Sequence, residues 1–341
     1  MNCSKNTDFV LSGLSNDPDK PQLLFGLFLA LYLLSLLGNL LLLLAIGADI
    51  HLHTPMYFFL SQLSLVNLCF TTTTAPKMLE TLWTSNGLIS FSECLAQLYF
   101  FTDFADMDNL LLTAMAINRF AAIRHPLHYA LLMTPCRCAL LLGGSWGVAH
   151  SISLVHALLL SQLSFYSNQE IPHFFCDFGP LFRLSCSNTH LKEDMMMVLT
   201  GLLGISPLLC IISSYAHIFL AVARIPSAQG KKKALATCSS HLSMVILFYS
   251  SVFATYLKSP SASHASGELG EAITYALVTP TLNPFIYSLR NKEVKRSLKR
   301  ILGIESSWQE TSVLGGKKIT LFTTTLIKRA VNTKAFTCHT A

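Results

Sequence analysis

An all-α membrane protein, a bundle of seven transmembrane helices, is the fold class this sequence predicts, and three observations predict it. Hydrophobic residues make up 52% of the chain and charged residues only 12%, about half the roughly 25% usual for a soluble domain. The apolar residues gather into runs of about twenty or more, the length that crosses a hydrocarbon layer about 30 Å thick. Lys and Arg collect beside alternate ends of those runs, as they do in cytosolic loops.

The elements follow in order. Residues 1–21 are polar, with Lys5, Asp8, Asp17 and Asp19. They lack the short apolar stretch and small-residue end of a cleaved signal, so the first run is expected to insert by itself. Bounded by charges and turn residues, helices are predicted at 22–48, 56–79, 92–123, 138–160, 193–222, 233–258 and 268–290. Gly143, Gly144 and Gly147 interrupt the fourth and Pro280 and Pro284 the seventh, which a packed bundle tolerates because neighbours satisfy the freed backbone groups. Beyond the seventh, Val294, Leu298, Ile301 and Leu302 recur at helical spacing among Lys295, Arg296, Lys299 and Arg300. That pattern predicts an amphipathic helix at 292–302 lying on anionic membrane lipid. The receptor-sized unit thus spans 22–302, and the polar, Thr-rich stretch 303–341 reads as a disordered tail.

Charge sets the orientation. Arg119, Arg124 and Arg137, then Arg224 and Lys231 to Lys233, then Arg290 to Arg300 mark one side, which predicts an outside N-terminus and a cytosolic C-terminus. Asn2-Cys3-Ser4 is an N-glycosylation sequon on the outer side. The net charge of +6 has no base-reading motif beside it, so nucleic acid is not an expected partner. No phosphate loop, HExxH helix or GxSxG elbow is present, so no enzyme and no cofactor is expected.

Seven spans with basic inner loops suit a receptor, a transporter or an intramembrane enzyme, and the short motifs separate them. Leu52-His-Thr-Pro-Met-Tyr-Phe-Phe-Leu60, Met115-Ala-Ile-Asn-Arg-Phe120, His125-Pro-Leu-His-Tyr129, Ser214-Tyr215, Lys233-Ala-Leu-Ala-Thr-Cys-Ser-Ser-His-Leu242 and Pro280-Thr-Leu-Asn-Pro-Phe-Ile-Tyr287 stand in order along the chain. This set resembles the olfactory receptors, in their tetrapod-type class, within the rhodopsin-like G-protein-coupled receptors. The resemblance covers about Asp8 to Leu302. It implies a plasma-membrane receptor that binds a small, mostly apolar odorant in the outer half of the bundle and activates a stimulatory olfactory-type G protein, raising cyclic AMP. A transporter should instead show paired, interrupted helices in its two halves, and none is visible.

Residue by residue, the resemblance places the odorant against Phe101, Thr102, Ala105, Asp106 and Asn109 of the third helix and Leu199, Thr200 and Leu203 of the fifth. Tyr249, Val252, Phe253 and Tyr256 of the sixth and Ile273 and Ala276 of the seventh complete the lining. Asp106, Thr102 and Asn109 share a helix face, which suits a ligand with a hydroxyl, carbonyl or amine on a hydrophobic body. The resemblance assigns G-protein coupling to Arg119, Asn118, Tyr215 and Tyr287. It pairs Cys94 with Cys176, and the outer position of both favours a disulfide. Cys186 lacks its usual upstream partner, where the chain reads Ser164-Phe-Tyr-Ser167, and is expected to stay unpaired unless Cys3 reaches it.

Carboxylates at bilayer depth are costly and must turn inward. Asp108 points toward the side where Asn67 and Asn283 belong and reads as a buried polar hub that could hold a sodium ion. The chain departs from the family pattern at Asn118, where an Asp is usual, at Phe120, usually Tyr, at Asn67, usually an acid, and in its long tail. These departures leave room for a weakly signalling or decayed receptor. With Asn118 neutral, Arg119 is expected to find only a neutral acceptor there, the alternative being that Asn118 simply packs and Arg119 finds another acceptor.

Overall fold

A computed structural model describes residues 3–4, 8–12, 21–166, 169–256 and 270–301. The helices are α1 (Pro21–Ala48), α2 (Pro55–Thr84), α3 (Phe91–Arg124), α4 (Tyr129–Leu132), α5 (Pro135–Ser161), α6 (Phe178–Leu184), α7 (His190–Ala223), α8 (Ala228–Tyr256), α9 (Thr279–Arg290) and α10 (Lys292–Ile301). A π-helical turn, Thr274–Val278, leads into α9. The long helices α1, α2, α3, α5, α7 and α8, with the stretch 270–290, are the seven spans. Residues 257–269 and 302–341 lie outside the described residues, with the predicted start of the seventh helix, Leu302 and the tail. So does Asn2.

Caps define where the spans begin. Pro55 and Pro135 open α2 and α5, positions where a missing N–H costs nothing. Ser90 and Glu93 form a reciprocal capping box at α3, with Glu93 accepting from the Ser90 N–H at 3.0 Å. Several helices run past the predicted ends because the hydrogen-bond ladder need not stop where the hydrocarbon does. α8, for example, begins at Ala228 and carries Lys231 and Lys232 on its first turns.

Among the described residues, α1, α5, α7 and α8 are long and apolar enough to cross a membrane on hydropathy alone. The other spans owe their polarity to side chains turned inward: Ser64, Asn67, Thr71 and Thr74 on α2, Asp103, Asp108, Asn109 and Asn118 on α3, and Thr279, Thr281 and Asn283 on the seventh span are all buried. Large apolar side chains meanwhile face out, such as Leu23, Leu27, Leu37 and Leu40 on α1 and Leu202, Ile205, Leu209 and Ile212 on α7. Polar inside and apolar outside is the arrangement hydrocarbon demands. α3 runs through the centre and packs on α2, α5 and α7. The ring of Pro284 comes so near α1 that a Cβ on Gly38 would sit 2.9 Å from it.

The amino-terminal face carries a small cover. Strand β1 (Cys3–Ser4) pairs antiparallel with β4 (Phe165–Tyr166), and β2 (Phe9–Leu11) lies between β3 (Leu88–Ile89), antiparallel, and β5 (Gln169–Ile171), parallel. Phe9 and Leu11 are buried in a second apolar cluster with Ile89, Leu98, Phe165 and Ile171. Leu11 N–H donates to the Gly87 carbonyl at 2.8 Å, and a Cβ on Gly87 would lie 2.2 Å from the Leu11 carbonyl oxygen. Gly87→Ala should therefore push β2 off β3 at a cost of about 1–3 kcal/mol. The expected readout is faster proteolysis of an N-terminally tagged receptor with the bundle still displayed; equal proteolysis would show that β2 can shift without loss.

Candidate ligand pocket and G-protein face

In the amino-terminal half of the bundle, Asn109 joins three helices. Its Nδ2 donates to the Leu203 carbonyl of α7 at 2.8 Å, and its Oδ1 accepts from the Tyr249 hydroxyl of α8 at 2.6 Å. Tyr249 also lies against Phe253, with ring centroids 5.8 Å apart. Phe101 stacks between Phe70 and Phe175, at 4.8 Å from each, and meets Tyr275 edge-on at 5.7 Å. The structure thus brings Asn109, Leu203 and Tyr249 together and sets Phe101 in a neighbouring aromatic cluster. Ala276 is fully buried, while Ala105, Asp106, Leu199, Val252 and Ile273 are half-buried.

Three expected pocket residues sit differently. The Thr102 hydroxyl is spent on its own helix, bonded to the Leu98 and Tyr99 carbonyls at 2.9 and 3.0 Å. Thr200 is exposed, and Phe253 is 44% exposed, so neither is enclosed in the bundle. The Tyr256 side chain lies outside the described residues. Sequence reasoning missed Phe70, Phe175 and Tyr275. Phe175 adjoins Cys176 and Tyr275 adjoins Ala276, yet nothing local aims either ring at Phe101.

Cys94 bonds to Cys176 with Cα atoms 5.5 Å apart, and Gln97 seats the loop by accepting from the Cys176 N–H at 2.9 Å. The expectation that Cys186 stays unpaired is corrected: it bonds to Cys3. The β1–β4 pairing sets Cys3 against Tyr166, and Cys186 N–H donates to the Ser164 carbonyl at 2.9 Å. The amino-terminal strand thereby supplies the cysteine that the loop lacks.

Deeper in the bundle, Asn283 Nδ2 donates to Asn67 Oδ1 at 3.2 Å. Asp108 is buried beneath the pocket, and its Oδ1, like Asn283 Oδ1, has no hydrogen-bond partner among the described residues. Free oxygen acceptors of this kind are what a hard cation or a water would take.

At the opposite face Arg119 is half-buried. The expected Arg119–Asn118 contact is not formed. Asn118 Oδ1 accepts from the Tyr129 hydroxyl at 2.9 Å, and its Nδ2 points at Met56 Sδ, 3.5 Å away. Consecutive helical residues point about 100° apart, so neighbours do not face each other. His241 Nε2 lies 3.0 Å from the Leu112 carbonyl, which can only accept, so Nδ1 is the acceptor for the Tyr215 hydroxyl at 2.7 Å. That chain ties α3, α8 and α7 beside Arg119.

α10 docks under this face. Tyr57 donates to Glu293 at 2.7 Å, Ser297 to the Ala45 carbonyl at 3.1 Å, and Arg300 lies 3.3 Å from Asp49. Burial works against the Asp49 carboxylate, but hydrogen bonds from His51 and the charge of Arg300 hold its pKa below the usual value. Val294 is buried, while Lys295, Arg296, Lys299 and Arg300 are exposed.

The sequence model of the olfactory receptor family matches residues 28–305. The chain belongs to that family. It is 52% identical to olfactory receptor 1f45 of Rattus norvegicus over 304 residues, covering 89% of this chain and 97% of the relative. It is 49% identical to olfactory receptor 1M1 of Mus musculus, covering 89% and 96%, and 48% identical to olfactory receptor 1N1 of Homo sapiens, covering 89% and 98%. Membership makes this olfactory receptor a seven-helix G-protein-coupled receptor of the plasma membrane, in a family of receptors and not enzymes.

Proposed function

We propose that this olfactory receptor binds a small, mostly apolar odorant carrying one hydrogen-bonding group, in the half of the bundle that faces outside. Binding activates a stimulatory olfactory-type G protein and raises cyclic AMP. The basic residues around α4, the α7–α8 turn and α10 support a cytosolic position for the Arg119 face. The observation that carries the ligand reading is the buried bridge from Tyr249 through Asn109 to the Leu203 carbonyl. A ligand group that competes for Asn109 alters how α7 and α8 are held on α3. Asp106, half-buried one turn away, offers a second polar contact, and Asp108 with Asn67 and Asn283 forms the polar hub beneath.

A cyclic-AMP reporter screen of volatiles, with a surface stain and an untransfected control, tests this. Asn109→Ala should shift the dose response of an alcohol or carbonyl agonist by about tenfold, about 1.4 kcal/mol, because a pocket polar group is lost. A homologue differing by one methylene should shift about fourfold or less. An unmoved curve at equal surface display would place the ligand elsewhere, and movement of labelled substrate without cyclic AMP would make the chain a transporter.

A further inference from the structure

The flank where α2, α3 and α5 meet the bilayer carries a polar pair that neither the Asn109 pocket nor the Arg119 face uses. His150 Nδ1 on α5 lies 2.7 Å from Asp103 Oδ1 on α3, and the Tyr99 hydroxyl lies 3.5 Å from the same nitrogen. The Asp103 side chain is 1% exposed and the His150 side chain 50%. At about 1.5 Å per residue, His150 stands about 17 Å from the Ser161 end of α5 and about 23 Å from the Pro135 end. Its open edge therefore meets hydrocarbon near mid-depth, where an ionisable side chain is expensive and marks function by default.

The surface around the pair is shaped. The Trp146 ring lies 5.0 Å from His150 and meets Phe104 edge-on at 6.3 Å, and Phe104 stacks on Phe100 at 6.1 Å. Phe100 and Phe104 form one wall of an open groove of about 380 Å³, whose other wall is Leu68, Cys69, Thr72 and Thr73. Both threonine hydroxyls turn back to their own helix, at 2.7 Å to the Leu68 carbonyl and 2.9 Å to that of Cys69. Apart from the Cys69 thiol and the Tyr32 hydroxyl, which lies 3.2 Å from Thr72 Oγ1, the groove offers hydrocarbon, beside the Asp103–His150 pair.

Hydrocarbon fixes what that edge presents. A net charge is disfavoured there, so the pair is stable as a neutral unit. Two neutral forms put a proton in the 2.7 Å contact without leaving an acid O–H on the buried, unpartnered Asp103 Oδ2: a carboxylate beside an imidazolium, and a carboxylic acid donating from Oδ1 to Nδ1 of a neutral ring. In both, Nε2 carries a hydrogen and faces away from Asp103. We propose that this flank is a second ligand site, taking a membrane-dissolved aldehyde, ketone or ester whose carbonyl accepts from His150 Nε2 while its body lies along Phe104 and the groove. The site rests on the membrane span and the side-chain geometry, not on the proposed G-protein coupling.

Photolabelling tests it, using full-length receptor in lipid nanodiscs and benzophenone, an apolar diaryl ketone, as the probe. On illumination the ketone carbon bonds to a nearby carbon and the displaced hydrogen moves to the ketone oxygen, leaving a tertiary alcohol adduct with no co-reactant. Adducts are expected on the α2 and α3 peptides that hold Thr72, Phe100 and Phe104. The ketone 2-undecanone should displace them, and undecane at the same membrane mole fraction should not. His150→Phe should weaken labelling there about tenfold, equivalent to about 1.4 kcal/mol, and His150→Gln, which keeps an N–H donor, should retain most of it. Equal labelling of wild type and a monodisperse His150→Phe receptor would overturn the proposal. Undecane competing as well as 2-undecanone on the wild type would overturn it too, and that arm stands even if the variant does not fold.

Discussion

Cys94→Ser and Cys176→Ser should each abolish surface display, whereas Cys3→Ser and Cys186→Ser should leave most of it. Loop length does not separate the two bonds, since the first links residues 82 apart and the second 183, and closing either limits the unfolded chain by about 5 kcal/mol on the chain-entropy account. That is comparable to the whole stability of many domains. What separates them is burial and what each bond holds. Both cysteines of the first are fully buried, and Cys176 sits on Gln97, which also donates to the Thr73 carbonyl of α2 at 3.2 Å. Losing the bond frees the loop that sets Phe175 against Phe101. Cys3, by contrast, is exposed and tethers a short end segment, and β2 keeps its own pairing with β3 and β5 without it. Surface staining of the four variants, with a maleimide mass shift counting free thiols, separates the two bonds. Equal loss in all four would mean that the amino-terminal strand is as necessary as the α3 disulfide.

The seven spans were legible because hydrocarbon thickness imposes a run length on the sequence, whatever the side chains later do. The docked α10 was legible for a related reason, since Val294 and Leu298 recur at a helical period that needs no partner to be seen. Ends were less so: α8 starts five residues before the expected Lys233 because its first turn lies beyond the apolar run. Contacts between helices were not legible, because they depend on the rotation of two helices far apart in sequence. Asp103 with His150 is one case, and Asn118 with Tyr129 is another, where the sequence put the amide beside Arg119 and the helix turned it away. The strand Phe9–Leu11 is three residues long, too short for alternation to show, so Cys3 meeting Cys186 could be named only as a condition. In the candidate site, exposure divides the residues that the resemblance named: Asn109, Leu203 and Tyr249 converge, while Thr200 and Phe253 are exposed.

Arg119→Ala should abolish agonist-driven cyclic AMP with surface display intact, and Asn118→Asp should lower basal signalling about tenfold. Arg119 is half-buried, its Nε has no hydrogen-bond partner among the described residues, and the neighbouring side chain is a neutral amide already taken by Tyr129. A guanidinium so placed gains most from an acceptor that arrives from outside the bundle, and under the proposed function that acceptor would come from the G protein when α8 moves away. That movement must break the link from Tyr215 through His241 to the Leu112 carbonyl, so the resting state is held by neutral bonds and not by a lock on the arginine. An aspartate at 118 would keep the Tyr129 hydroxyl as its donor, and that bond, now charge-assisted, would be roughly twice as strong as the neutral one and would hold α4 more firmly on α3. If that favours the resting state by about 1.4 kcal/mol, the active fraction falls about tenfold. Basal cyclic AMP measured at matched surface display reads this directly. Unchanged basal and agonist signals in Asn118→Asp would leave Asn118 as a partner of Tyr129 alone, and full signalling by a displayed Arg119→Ala receptor would move the G-protein contact off this residue.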